Sequence, residues 1–376
     1  MSLQIPESVR SAFERTAHPY FMWEGIQSVP LGLDDILSSQ VMDSLHKAAV
    51  MLANRSPVYM TGCGTSYFSA IAATHVFHAI PHYPAYACNA FEFYAYPPPG
   101  LQDSAVIGIS HTGGTPAVIQ SVELARSQGA FTLGFTDVVG SALARTASHV
   151  VSSSLGVEPA LPKTRSYVAA LLRGYLLALE LSRLRKIDVS QYEPFLQRSP
   201  QISRNLLDSV EGQVKEIAQN QVVPRRIVVA GGGPQLATAL EASLKLTEAA
   251  LVISVAWELE EAVHGTWAST QPEDLVIILA IKGPGFAKCQ RLAAGMHMIS
   301  AKVWVITNHE GEIPDADFIT RLPSDIPEFF MPLFAILPLY QYTYFLALAQ
   351  GVHPDNMRLA DPRYLQARML MRDTIK

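Results

Sequence analysis

The sequence is short of charge and of cysteine. Charged residues fill 16% of its 376 positions, against 49% that are apolar. That balance requires a large core and excludes a disordered chain. The net charge is −5 and no long run of Lys or Arg occurs, which argues against nucleic acid as a partner. The three cysteines, Cys63, Cys88 and Cys289, contain no CxxC pair. They offer neither a disulfide scaffold nor zinc-ligand spacing, so no metal is expected, and they fit a reducing cytosol. Met1-Ser2-Leu3-Gln4-Ile5-Pro6 lacks the basic flank and apolar core of a signal peptide. From Phe329 to Gly351 there is no charged residue at all, about the length of a membrane span. Pro332 and Pro338 interrupt that segment, and Tyr340, Gln341, Tyr342 and Tyr344 sit in its middle. It reads as a buried helix at a dimer interface, with no membrane role.

What is present is strand–helix alternation, twice over. Strands are expected at Val58–Thr61, Ala105–Ser110, Phe131–Thr136 and His149–Ser153, and helices at Ser66–Ile80, Pro116–Gln128 and Tyr167–Leu184. Polar residues at Asp188–Pro200 break the pattern. It resumes with a strand at Arg226–Ala230, a Gly231-Gly232-Gly233-Pro234 turn and a helix at Gln235–Leu251. Further strands follow at Asp274–Lys282, Lys302–Thr307 and Asp317–Leu322, with a helix at Phe286–Ser300. Short apolar strands alternating with helices imply a parallel sheet covered on both faces. The expected class is α/β, two tandem doubly wound domains at 46–200 and 201–350, with a helical arm over 1–45 and a tail over 351–376.

Two loops in the first half share one chemistry. Gly62-Cys63-Gly64-Thr65-Ser66 and Ser110-His111-Thr112-Gly113-Gly114-Thr115 each follow an apolar strand and open a helix. Small residues let backbone approach a ligand, helix-start amides point at it, and hydroxyls add donors without charge. Together they suit one phosphate on a compact polar molecule; either alone is only a turn. Gly231-Gly232-Gly233 lacks the spacing of a dinucleotide fingerprint, and no acidic ribose partner ends a second strand. No nicotinamide, flavin or other cofactor is therefore expected.

The second half carries charge where there should be none. Glu241, Lys245 and Glu248 stand at i, i+4 and i+7 in a helix otherwise apolar or small, so one face presents carboxylate, ammonium and carboxylate. Buried carboxylates need a partner or a task. His264 follows, in Glu260-Glu261-Ala262-Val263-His264-Gly265. A carboxylate and an imidazole suit proton transfer between C1 and C2 of a sugar and opening of its ring, while the loops hold a phosphate and fix orientation.

With these motifs in this order, the chain resembles the sugar isomerase (SIS) domain family over roughly residues 46–361. It is most similar to tandem-SIS isomerase halves of glucosamine-6-phosphate synthases and to stand-alone hexosamine-phosphate deaminases and deglycases. The resemblance implies a flavodoxin-like fold and an enzyme acting on an amino-hexose phosphate. Glucosamine 6-phosphate going to fructose 6-phosphate and ammonia leads; a fructosamine-phosphate deglycase and a non-catalytic sugar-phosphate sensor are the alternatives. It implies sugar-phosphate contacts at Cys63, Gly64, Thr65, Ser66, Ser110, His111, Thr112 and Thr115, with His111 in place of the synthases' Gln. It makes Glu248 the enolisation base and His264 the ring-opening residue, often supplied by the neighbouring subunit of a homodimer. Glu241 and Lys245 then line the site. Two departures stand out: no glutaminase domain precedes the short arm, so glutamine is not expected as ammonia donor, and Asp361 falls at or near the family's tail Lys. Lys163 and Arg165 either reach an anionic group or hold the tail.

Overall fold

The computed structural model describes residues 7–219 and 223–371. Met1–Pro6, on which the signal-peptide reading rests, and the last five residues of the tail lie outside the described residues. The chain divides into two compact units. The N-terminal unit comprises residues 28–158 and 165–201, and the C-terminal unit residues 7–27, 159–164 and 202–371.

The N-terminal unit is built on a five-stranded parallel sheet. Its strands are β1 (Val58–Gly62), β2 (Ala85–Asn89), β3 (Ala105–Ile109), β4 (Phe131–Thr136) and β5 (His149–Ser152), in the order β2-β1-β3-β4-β5. Every residue of β3 is buried, as a central parallel strand covered on both faces requires. The helices α1 (Thr65–Ala79), α2 (Pro116–Ser127) and α3 (Arg165–Leu184) pack on this sheet or on one another. The order is that of a flavodoxin-like sheet, whose chain reverses direction between β1 and β3.

The C-terminal unit repeats the plan. β6 (Ile227–Ala230), β7 (Ser254–Trp257), β8 (Leu275–Ala280), β9 (Lys302–Thr307) and β10 (Phe318–Arg321) form a second parallel sheet ordered β10-β9-β8-β6-β7. Read from the other edge this is the first order again, with β6 and β8 at the reversal. Helix α4 (Pro234–Ala249) follows β6 as α1 follows β1. The repeat reaches the backbone angles: Gly64 opens α1 at φ 51°, ψ −126°, and Gly233 opens α4 at φ 55°, ψ −130°. Such angles favour glycine at both sites. Between β7 and β9 lie α5 (Leu259–Val263) and α6 (Phe286–Met298).

The break at Asp188–Pro200 holds only the short helix Glu193–Gln197 and leads into a 21-residue helix, Ser199–Gln219, that no expectation covered. One expectation changes. The uncharged segment is α7 (Pro332–Ala349), with Pro338 inside it, and 89% of it is buried within its own chain. It packs on α4 and on Phe21–Gln27. Its apolarity is satisfied inside the unit, so it offers no face for the dimer interface read there.

The core of this unit turns on Trp304 of β9. Its indole is fully buried, donates to Thr320 Oγ1 at 2.9 Å and meets the Tyr342 ring edge-on at 5.0 Å between centroids. Trp304→Ala is expected to cost about 3–5 kcal/mol, read as a lowered urea midpoint of far-UV circular dichroism.

Candidate functional site

The N-terminal unit places its two small-residue loops at the carboxyl ends of β1 and β3, neighbouring strands on either side of the sheet's reversal. Open α/β sheets bind ligands at that place. Neither α1 nor α2 has a side-chain cap on its first turn, so helix-start amides are not spent on the protein's own side chains. Gly62 is demanded by space, since a Cβ there would lie 2.7 Å from the backbone of Ser66.

The second loop is built before any ligand arrives. Ser110 Oγ and Thr115 Oγ1 are 2.9 Å apart. Ser110 N–H donates to the Phe135 carbonyl and Leu143 N–H to that of Gly113. Gly113 has φ +62°, and a Cβ on it would collide with Ser141 Oγ. The Thr112 hydroxyl accepts from Gly114 N–H and the residue is exposed. Cys63 and Ser66 are half-buried; burial pushes the Cys63 thiol up, which makes it a poor nucleophile.

His111 sits differently from its neighbours. Its Nδ1 lies 2.6 Å from Asp137 Oδ2, and its Nε2 accepts from Glu158 N–H at 3.1 Å. The other Asp137 oxygen pairs with Arg173 of α3. Burial alone would raise the Asp137 carboxyl, but Arg173 and His111 hold it far below the usual carboxylate range. Glu158 is itself buried and accepts from the Arg165 and Ser166 amides at 3.1 and 2.9 Å, capping α3. Asp137, Arg173 and Glu158 were not among the residues expected from sequence. Arg173 carries the legible trace, a lone cation amid the apolar run Tyr167–Leu181.

In the C-terminal unit the expected acidic helix face is real. Lys245 Nζ lies 2.5 Å from Glu248 Oε2 and 3.7 Å from Glu241 Oε1. Glu241 and Lys245 are fully buried, whereas the Glu248 side chain keeps 17% of its exposure. Tyr340 of α7, unexpected from sequence, donates its hydroxyl to Glu241 at 2.9 Å. His264 ends α5 with its side chain 67% exposed. Its Nδ1 donates to the Glu260 carbonyl at 2.9 Å, which leaves Nε2 of the neutral ring as an acceptor. Its carboxylate neighbour is Glu260, at 3.9 Å, and not Glu248.

The remaining expected residues have structural work. Asp361 accepts from Arg363 N–H at 2.9 Å, ahead of the helix Pro362–Met371, and pairs with the Arg363 guanidinium at 2.6 Å. Those bonds hold its carboxyl down at about 2. Arg165 lays its stem over Gly32 and donates to the Gly156 carbonyl, and Lys163 donates to the Ala160 carbonyl. A groove of about 570 Å³ between α5 and α6, floored by residues such as Leu259, Trp267 and Met296, is lined by none of the expected residues. Among the described residues no group of three metal-binding side chains occurs.

The Asp137–Arg173 pair is directly testable. Arg173→Met strands a buried carboxylate and is expected to cost about 3–5 kcal/mol, seen as a lowered urea midpoint. The folded-state carboxyl of Asp137 is depressed, so its stabilisation is complete above the unfolded value of about 3.9 and drains away as the pH falls further. The acid limb of the wild-type stability profile should therefore be steeper than that of R173M.

Comparison with known proteins agrees with this architecture. Residues 51–180 match the SIS domain family. The isomerizing glutamine–fructose-6-phosphate aminotransferase of Pyrococcus horikoshii is 29% identical over 349 residues, 92% of this chain and 57% of that protein. The chain thus spans less than two thirds of the curated relatives it matches. Among solved structures, the C-terminal domain of the Francisella tularensis glucosamine–fructose-6-phosphate aminotransferase gives a TM-score of 0.81 at 17% identity, covering 90% of this chain and 99% of that one. The Thermotoga maritima glucosamine-6-phosphate deaminase gives 0.68 at 20% identity, covering 89% and 96%. At such identities the solved structures establish the fold. The stretch around the first sheet thus matches the SIS domain family, and the chain resembles the isomerizing aminotransferases along most of its length.

Proposed function

We propose that the chain opens an amino-hexose phosphate and moves a proton between its C2 and C1. The substrate in this reading is glucosamine 6-phosphate, and the products are fructose 6-phosphate and ammonia. The observation that carries it is Glu248, a partly exposed carboxylate joined at 2.5 Å to the buried ammonium of Lys245. A base fixed at its root loses little orientational freedom when substrate binds.

Each step has a residue of suitable chemistry. The helix-start amides of α1 and α2, with the hydroxyls of Ser66, Ser110, Thr112 and Thr115, take the phosphate. His264 Nε2 accepts the C1 hydroxyl proton and passes it to O5 as the C1–O5 bond breaks. Glu248 removes the C2 proton of the open aldehyde while water protonates O1, giving an enolamine. Glu248 returns its proton to C1 as the amine gives one up to solvent, which leaves the C2 imine; water adds, and ammonia leaves the C2 ketone. Glu248 begins and ends as a carboxylate, and no cofactor is consumed. An exposed His264 accords with the expected homodimer, in which it serves a second copy of the chain.

Glu248→Gln keeps the size of the side chain and removes its basicity. It should lower ammonia release from glucosamine 6-phosphate by about 10²–10⁴-fold, while fructose 6-phosphate binding by calorimetry stays within a few-fold. Full activity in E248Q removes Glu248 from the chemistry. A panel of hexosamine and ketoamine phosphates, read by ammonia and by ketose, fixes the substrate. Amino-acid release from a ketoamine phosphate would instead mark a deglycase, and tight binding without turnover a sensor.

A further inference from the structure

We infer that His111 is not a phosphate ligand but the positioning residue that sets the shape of the phosphate loop, and that it does so only while its ring is neutral. The inference rests on the proposed function, in which the loop at 110–115 receives a phosphate. The family resemblance groups His111 with the ligand contacts, in place of the synthases' Gln.

The ring has no donor left for a ligand. An ionised carboxylate can only accept, so Nδ1 carries the proton shared with Asp137 at 2.6 Å. A backbone N–H can only donate, so Nε2 is the bare acceptor for Glu158 N–H at 3.1 Å. Both nitrogens are spent, and the side chain is 10% exposed. The backbone of the same residue is tied down as well. Its carbonyl accepts from Asp137 N–H at 2.9 Å and from the Thr136 hydroxyl at 3.2 Å.

The groups at either end of the ring are themselves anchored. Asp137 follows β4 directly and pairs with Arg173 of α3, both nearly fully buried. Glu158 follows β5 and caps the start of α3 with both carboxylate oxygens. One imidazole therefore joins the loop after β3 to the end of β4, to the segment after β5 and through them to α3. Ser110 and Thr115, whose hydroxyls meet at 2.9 Å, inherit their positions from this link. A loop ordered in advance does not charge its ordering to the ligand.

Protonation reverses the logic. The charged group that touches the ring is the Asp137 carboxylate just after β4, itself paired with Arg173 of α3, while Glu158 from the segment after β5 offers its backbone N–H and turns its carboxylate to the start of α3. A second ring proton at Nε2 would point at the Glu158 N–H, donor against donor, and that bond would be lost. A doubly protonated ring would therefore loosen the loop. A His111 that touched the phosphate directly would do the opposite, because an imidazolium attracts a phosphate more strongly than a neutral ring.

The opposite signs make the test. Fructose 6-phosphate affinity is measured by calorimetry on the full chain from pH 8 to 5 for wild type, His111→Gln and His111→Asn. Gln can accept from Glu158 but not bridge to Asp137 as the ring does; Asn keeps the donor toward Asp137 and abandons Glu158. Each should weaken binding about tenfold at pH 8, the worth of one lost hydrogen bond. The phosphate's own ionisation near pH 6 affects all three proteins alike, so the ratio of variant to wild-type Kd is the readout. A ratio that falls toward one in acid supports positioning; a ratio that rises, or that stays at one throughout, overturns it. If the variants do not fold, the ring ¹⁵N–¹H spectrum of wild type decides. It should show His111 protonated at Nδ1 alone and unchanged in tautomer on saturation with fructose 6-phosphate; an Nε2–H ring refutes the assignment. Wild type that binds no sugar phosphate at any pH while its His111 shows the Nδ1–H ring sinks the functional reading and leaves the link standing.

Discussion

A carboxylate taken out of water must be answered by its neighbours, and Asp137 is the place where this protein meets that constraint. Its two oxygens face Arg173 and His111, and neither partner has more than a tenth of its side chain exposed. Burying two ions costs several kcal/mol each before their attraction repays it. Repayment requires a short, fixed separation between the end of β4 and the middle of α3. The apolar residues of α3, buried from Ser166 to Ser182, supply the packing that holds the distance. The loop at 110–115 is thus tied through His111 to a buried ion pair, and its own hydroxyls take no part in that pairing.

The C-terminal unit solves a similar problem with one helix. Two carboxylates and one ammonium share α4. Tyr340 adds a neutral donor: its hydroxyl binds Glu241 at 2.9 Å, and Lys245 leans to Glu248 at 2.5 Å while standing 3.7 Å from Glu241. The deep carboxylate is served by a hydrogen bond, and the ammonium goes to the carboxylate nearest solvent. Lys245 thereby orients the acid of the two that a solute can reach.

How much of this was legible in the sequence depends on distance along the chain. Strands β3, β4, β8 and β9 announce themselves as near-continuous apolar runs because both faces are covered. The edge strands β2 (Ala-Tyr-Ala-Cys-Asn) and β7 (Ser-Val-Ala-Trp) have one neighbour each and few β-branched residues, and they leave no such trace. The Ser199–Gln219 helix is amphipathic and polar overall, so it hides beside the Asp188–Pro200 break. In the site, Glu241, Lys245 and Glu248 are readable because helical spacing alone brings them together. Asp137 and Arg173 are 36 residues apart on different elements, and no local period connects them. The same holds for Tyr340 and Glu241, which are 99 apart. The length and apolarity of α7 were legible, but what buries it was not, since a core helix and an interface helix share one composition.

The two sheets share an order and even a glycine conformation, yet their crevices differ in kind. At the reversal of the first sheet the loops carry hydroxyls and no formal charge. At the reversal of the second, the loops after β6 and β8 are Gly231-Gly232-Gly233 and Lys282-Gly283-Pro284-Gly285, without a hydroxyl. Glu328 fills the space there: its carboxyl stands where a Cβ on Gly283 would be, and its backbone carbonyl accepts from Gln235 at the start of α4 at 3.4 Å. Burial pushes that carboxyl up, the mark of a site that already strains to hold one negative charge. A phosphate brought to the same crevice would meet Glu328 in poor solvent and few donors to offset it. The two sheets thus offer like frames with unlike side chains. Helix α4 opens as α1 does, at a glycine of nearly the same angles, and carries the Glu241–Lys245–Glu248 face where the first unit has loop hydroxyls.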